Sequence, residues 1–209
     1  MMPSTMKIKT TILGTVLVCL GSALCHAQDF SANVVYFEVP RTADAKSPQA
    51  PSKLYVSKDK IRLQTYGFTD AILLVNGAQH STIALYPGRK IYQLLAGSSQ
   101  YFRVENANDA CADWQKATEQ KIACEKVGEE EVNGRHTVKY LNKNAAGANT
   151  SAVWVDADLK FVVKWETATT GAELREIKEE KLSSELFVVP DEYKPKMPQK
   201  GSSKGFTPR

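Results

Sequence analysis

The sequence predicts a mainly β protein built on an antiparallel sheet, and three observations carry that prediction. Short segments alternating apolar and polar residues recur along most of the chain, the period of a strand with one buried face. Two Asn-Gly pairs, Asn76-Gly77 and Asn133-Gly134, fall between such segments, where they are the strongest short-range hairpin signal. Only Asp109 to Ala117 combines helix formers, an acidic start and no turn residue, so one short helix is expected.

The elements follow in order. Lys7 and Lys9 precede an apolar run from Thr11 to Leu24, which ends in Cys25-His26-Ala27. That arrangement predicts a secretory signal peptide over residues 1–27, the run being too short for a comfortable membrane span. Bulky Leu24 before Cys25 disfavours lipid attachment there, so a soluble, secreted product is expected. Ser31 to Val39 is rich in β-branched and aromatic residues and closes at Pro40; Arg41 to Ser52 reads as a loop. Lys53–Ser57 and Lys60–Tyr66 flank the turn pair Lys58-Asp59, and Leu54, Val56, Ile61 and Leu63 fall on one face. Ala71–Val75, Ser81–Tyr86 and Ile91–Leu95 form a meander. Ile72, Leu73, Leu74 and Val75 are apolar on both faces, so something besides water must cover the second one.

After the helix, Ile122–Val127 and Arg135–Leu141 bracket Asn133-Gly134. Ser151–Val155 and Phe161–Thr167 come next, with Phe161, Val163 and Trp165 on one face and Val162, Lys164 and Glu166 on the other. Ala172–Glu180 suits helix or strand and is assigned as strand to match its neighbours. Leu186–Tyr193 closes a single domain spanning residues 28–193. The basic stretch 194–209, rich in Lys, Gly, Ser and Pro, is predicted to be a disordered tail.

The chain carries 27 Lys and Arg against 23 Asp and Glu, and the leader removes two of the lysines. So small an excess is no nucleic-acid signature, and no nucleic-acid partner is expected. The leader also takes Cys19 and Cys25, leaving Cys111 and Cys124. In an oxidising compartment these most simply form a disulfide, with a metal or redox pair as the alternative. The loop they close is short, which sets the stabilisation at roughly 3 kcal/mol.

No catalytic signature appears. His80 and His136 each lie beside a predicted turn without the nucleophile and orienting acid that catalysis needs. Asp156 and Asp158 read as turn chemistry, because a calcium loop requires further oxygen ligands. Glu129-Glu130-Glu131 reads as a solvated charge run. No cofactor, metal or enzyme activity is expected. What remains is the apolar content of the strands. Tyr36, Tyr55, Leu63, Leu85, Tyr92, Trp154 and Trp165 are the candidate ligand-binding residues, within a wider aromatic set that includes Phe37, Tyr86, Tyr101, Phe102 and Phe161. A sheet of this length with so few helices leaves its inner face incompletely covered, which makes a lipid-sized site.

The order of hairpins resembles an uncharacterised bacterial family with the half-barrel of LolA and LolB. The resemblance rests on Phe30-Ser31-Ala32-Asn33-Val34-Val35, Lys53-Leu54-Tyr55-Val56, Lys60-Ile61-Arg62-Leu63, Asn76-Gly77, Tyr86-Pro87-Gly88-Arg89-Lys90-Ile91-Tyr92, the Lys126–Arg135 hairpin, Val153-Trp154-Val155-Asp156 and Leu186-Phe187-Val188-Val189-Pro190. It covers most of residues 30–195; the Arg41–Ser52 loop and the basic tail depart from it. The resemblance implies a curved, unclosed antiparallel barrel with one or two short helices, and a periplasmic carrier holding a lipid or lipoprotein acyl chain on the concave face. A non-enzymatic module binding or sensing an envelope protein partner is the alternative the same fold implies.

Overall fold

The computed structural model describes residues 29–40, 51–65, 71–95, 102–118, 123–144 and 146–196. The leader, most of the Arg41–Ser52 loop and the tail beyond Lys196 lie outside them. Twelve strands and one α-helix follow in sequence: β1 Phe30–Glu38, β2 Ser52–Ser57, β3 Lys60–Gln64, β4 Ile72–Asn76, β5 Ser81–Tyr86, β6 Ile91–Leu95, α1 Ala110–Thr118, β7 Ala123–Val132, β8 Arg135–Lys143, β9 Asn149–Asp156, β10 Phe161–Thr167, β11 Thr170–Glu179 and β12 Lys194–Pro195. All the strands belong to one sheet in the order β12-β6-β5-β4-β3-β2-β1-β11-β10-β9-β8-β7. Its ends are β12 and β7, so the barrel is not closed.

The turn chemistry sets the register. Lys58 adopts a left-handed φ of 50°, as does Asn133, with Gly134 at 78°, the conformation that tight hairpins demand. Val56 thereby pairs with Ile61 and Leu54 with Leu63, as the period-2 pattern predicts. The Asn76-Gly77 hairpin is wider than a two-residue turn. Asn76 pairs with Ser81, and the left-handed residue is His80, because the Asn76 side chain engages Gln79 and spreads the loop over four residues.

One alternation fails. Phe161, Val162 and Val163 are all buried, since a β-bulge between Val162 and Lys164 adds a residue and resets the faces. The ambiguous Ala172–Glu180 stretch is strand, pairing with β1 over its length. Glu129–Glu131 are strand residues that carry β7 up to its turn.

The sheet curls around its inner face. Ile61, Leu63, Leu73 and Val75 share that face with Val34, Leu54 and Leu174. From β4 to β10 the sheet crosses five strand spacings, about 24 Å if flat. Side chains from both ends nonetheless line one cavity, which only a concave sheet allows. A second part of the inner face is closed by α1, whose Trp114 packs with Val138, Tyr140, Val155 and Val162. Cys111 of α1 is disulfide-bonded to Cys124 of β7, with Cα atoms 5.7 Å apart.

The outer face of the meander has its own cover. Ile72, Leu74 and Leu85 are buried there beneath Val189 and Tyr193, each large side chain contributing about 1.5–3 kcal/mol by leaving water. The covering segment is held by Arg62, whose Nη1 donates to the Leu186 carbonyl at 2.9 Å. It ends by adding Lys194 and Pro195 in parallel to Ile91 and Tyr92, so the first residues of the basic stretch are part of the sheet.

Candidate functional site

Strands β1 to β4, β10 and β11, with Phe102, enclose a cavity of about 270 Å³. Its wall comprises Val34, Tyr36, Leu54, Ile61, Leu63, Leu73, Val75, Phe102, Phe161, Val162, Trp165 and Leu174, none of them charged. Alternation delivers every second residue of β1 to β4 to this face, and the β10 bulge adds Val162 beside Phe161. Most of its aliphatic residues are buried, as is Phe161, while two of its rings, Tyr36 and Phe102, are exposed.

At the rim, Tyr36 and Phe102 are exposed, at 38% and 41%. Trp165 meets Tyr36 edge-on at 6.4 Å between centroids and Phe102 at 6.0 Å, while Phe102 stacks on Phe161 at 6.0 Å. Offset and edge-on rings of this kind stabilise one another while keeping apolar surface open. Burial pushes the Tyr36 hydroxyl pKa up, partly countered by its hydrogen bond with Ser52, so Tyr36 presents a neutral phenol at the opening.

The seven residues singled out from the sequence separate cleanly. Tyr36, Leu63 and Trp165 line the cavity. Leu85 and Tyr92 belong to the outer cluster under the C-terminal segment, and Tyr55, paired with Ser31 and Arg62, shares that outer side. Trp154 also faces outward: it pairs with Lys139 and Lys164, whose ammonium groups lie 4.8 and 4.0 Å from its ring centroid. Its indole N–H donates to Glu130 Oε2 at 2.7 Å. These long stems and their cation–π contacts bury Trp154 without help from the cavity. The aliphatic wall residues other than Leu63 were not singled out from sequence; they become legible only once cross-strand register is known.

The remaining polar candidates have structural partners. Asp156, 1% exposed, accepts from the N–H groups of Asp158 and Leu159 at 2.9 and 2.8 Å and pairs with Arg135. Arg135 also reaches Glu179 at 2.9 Å; the Asp156 carboxylate raises the guanidinium pKa. His136 Nε2 lies 3.5 Å from Glu129 on the surface, and His80 is exposed in its turn. Among the described residues no cluster of three or more His, Cys, Asp or Glu is placed to hold a metal. A second cavity of about 250 Å³ lies between the β2–β3 and β4–β5 turns and the C-terminal segment, with a mixed lining that includes Lys58, Lys60 and Asn76 as well as Leu182 and Phe187.

No protein-family model and no curated protein matches the chain. Among solved structures, an uncharacterized conserved protein from Thermus thermophilus aligns with a TM-score of 0.50 at 7% identity, over 82% of this chain and 91% of its own. That likeness is one of fold. PNGF-II aligns with a TM-score of 0.48 at 14% identity, over 81% of this chain; the chain spans only 31% of that protein's length. A LolA superfamily protein from Nitrosomonas europaea aligns with a TM-score of 0.36 at 10% identity, over 78% of this chain and 90% of its own.

Proposed function

We propose that this chain is a soluble periplasmic carrier or binding protein for a hydrophobic ligand, a lipid or lipoprotein acyl chain, and that the apolar cavity inside the half-barrel is its site. The observation that carries the reading is the wall itself: every lining residue is aliphatic or aromatic, and the rings at its rim remain exposed to receive a ligand. A cavity of about 270 Å³ lies just below the usual range for ligand sites, ~300–1,000 Å³, which suits part of one chain rather than a multi-chain lipid. Burying an alkyl chain there stabilises the complex by roughly 0.8 kcal/mol per CH₂, and the open rim leaves a path for release. The leader read from residues 1–27 supplies the periplasmic address. No catalytic step is assigned.

The test is lipid extraction and native mass spectrometry on protein purified from a bacterial periplasm, followed by titration with a fluorescent fatty acid. Copurifying lipid or saturable uptake is expected. Protein that is empty as isolated and takes up no probe overturns the reading.

A further inference from the structure

Four cations, Arg89, Lys90, Lys194 and Lys196, meet at one corner of the sheet, and all are exposed. Arg89 and Lys90 stand in the β5–β6 turn, and the two lysines flank Pro195 on β12. Backbone bonds hold the two pieces together: Lys194 N–H donates to the Lys90 carbonyl at 3.0 Å, and Lys196 N–H to the Tyr92 carbonyl at 2.7 Å. The Lys196 ammonium donates to a neutral acceptor, Gln93 Oε1, at 3.0 Å. Among the described residues none of the four makes an ion pair, whereas Lys126, Arg135, Lys139 and Lys143 near the other edge each face an acid. Asp191 and Glu192 offset part of the charge, but the sequence from Lys194 onward adds Lys200, Lys204 and Arg209 and no acid.

The corner lies at the same end of the strands as the exposed ring of the cavity wall. A register line crosses the sheet through Asn33, Lys53, Gln64, Ile72, Leu85 and Tyr92. The β5–β6 turn and Lys194, which pairs with Ile91, lie beyond that line on one side. On the same side β1 runs on to Tyr36, level with Trp165 through their common neighbour Ala172. The β2–β3 turn with Lys58 is at the opposite end.

Lysines on a terminal strand protect a sheet edge from wrong pairing, but Arg89 and Lys90 sit in a turn, where there is no edge to protect. Ammonium groups on flexible stems suit a diffuse negative surface better than one small anion. Clusters of Lys and Arg are drawn to anionic lipid, and the attraction falls off within a Debye length. We propose that this corner docks the chain on an anionic lipid bilayer, with the Tyr36 end of the cavity turned toward the same surface. Docking stands on the charge alone; its purpose, exchange of an alkyl chain between bilayer and cavity, rests on the hydrophobic-ligand reading.

The experiment sediments the full-length secreted protein with vesicles of phosphatidylcholine, with and without phosphatidylglycerol. Anionic vesicles are expected to bind it about tenfold or more tightly than neutral ones at low salt, the preference fading as salt rises. Replacing the four cations together, Arg89→Gln, Lys90→Asn, Lys194→Gln and Lys196→Gln, is expected to weaken anionic binding about tenfold or more. Asparagine tolerates the left-handed φ of 49° that Lys90 adopts. Uptake of the neutral probe N-phenyl-1-naphthylamine is expected to stay unchanged. An environment-sensitive dye on Glu38→Cys, two residues past Tyr36, is expected to shift to the blue on anionic vesicles, and the same dye on Lys58→Cys is not. Equal binding to both kinds of vesicle, anionic binding that survives the four substitutions, or a shift at Lys58 without one at Glu38 overturns the proposal. So does salt-sensitive self-association in place of vesicle binding, which would give the corner to the acidic strand β7 of a second copy. If the fourfold variant does not fold, the vesicle comparison and the dye pair decide. Absence of probe uptake with docking intact strikes the cavity reading and leaves the corner standing.

Discussion

Trp114 stands edge-on to Tyr140, ring centroids 5.5 Å apart, and this contact seats the helix on the sheet. The Tyr140 hydroxyl completes the seat: it donates to the Ala107 carbonyl at 2.7 Å and accepts from Ala110 N–H at 3.2 Å. One side chain thus satisfies two backbone groups at the start of α1, where helical hydrogen bonds have not begun. Tyr140→Phe keeps the ring and strands both groups, so it is expected to cost about 1–3 kcal/mol, read as a lower urea midpoint. A loss below about 0.5 kcal/mol would mean that water replaces the hydroxyl.

The Cys111–Cys124 bond joins that same helix to β7 across a sequence separation of 13. In the chain-entropy view a loop of this length stabilises the fold by roughly 3 kcal/mol. Cys111→Ala with Cys124→Ala is expected to lower the denaturation midpoint by that order, and the unaltered protein to show no free thiol from this pair until reduced. Two titratable thiols in the native, oxidised protein would contradict the bond.

Glu130 supplies a pH-dependent increment on the outer face. Lys139 donates to it at 2.8 Å and Trp154 at 2.7 Å, and these bonds, Lys139 first, hold its carboxyl pKa below the ordinary 4.5. A carboxylate with a depressed folded-state value stabilises the fold above the unfolded value, and the gain is lost as pH falls through the folded one. The advantage of the unaltered protein over Glu130→Gln is therefore expected at neutral pH and to decline below about pH 4.5. The Lys139 and Glu130 side chains are both partly solvated, which keeps the effect small. An advantage that stays constant through the acid range would show that the pairing is not made in solution.

Strand identity was legible because alternation and turn residues are local properties. Leu54, Val56, Ile61 and Leu63 were assigned to one face from sequence, and the sheet pairs them directly. Which face is concave is not a local property. Leu63 and Leu85 look alike in their strands, yet Leu63 faces the cavity and Leu85 faces Val189 and Tyr193, residues far along the chain. Trp154 shows the same limit. An aromatic residue in a strand reads as core, but cross-strand Lys139 and Lys164 can shelter one on the solvent side. The bulge after Val162 leaves no composition signal at all.

The two faces make opposite predictions for ligand uptake. Leu63 lines the cavity, so Leu63→Gln places an amide where the proposed alkyl chain would lie, and a polar group buried without a partner costs about 1–3 kcal/mol. Uptake of a fluorescent fatty acid is expected to weaken about tenfold or more, on the conversion of about 1.4 kcal/mol per decade. Tyr55 sits on the outer side of the adjacent strand, paired with Arg62, so Tyr55→Ser is expected to leave uptake unchanged even if it lowers stability. Trp165 at the rim reports binding directly, its emission shifting when ligand displaces water beside the indole. Weakening by Tyr55→Ser at a temperature where the variant remains folded, with none from Leu63→Gln, would move the ligand to the outer face.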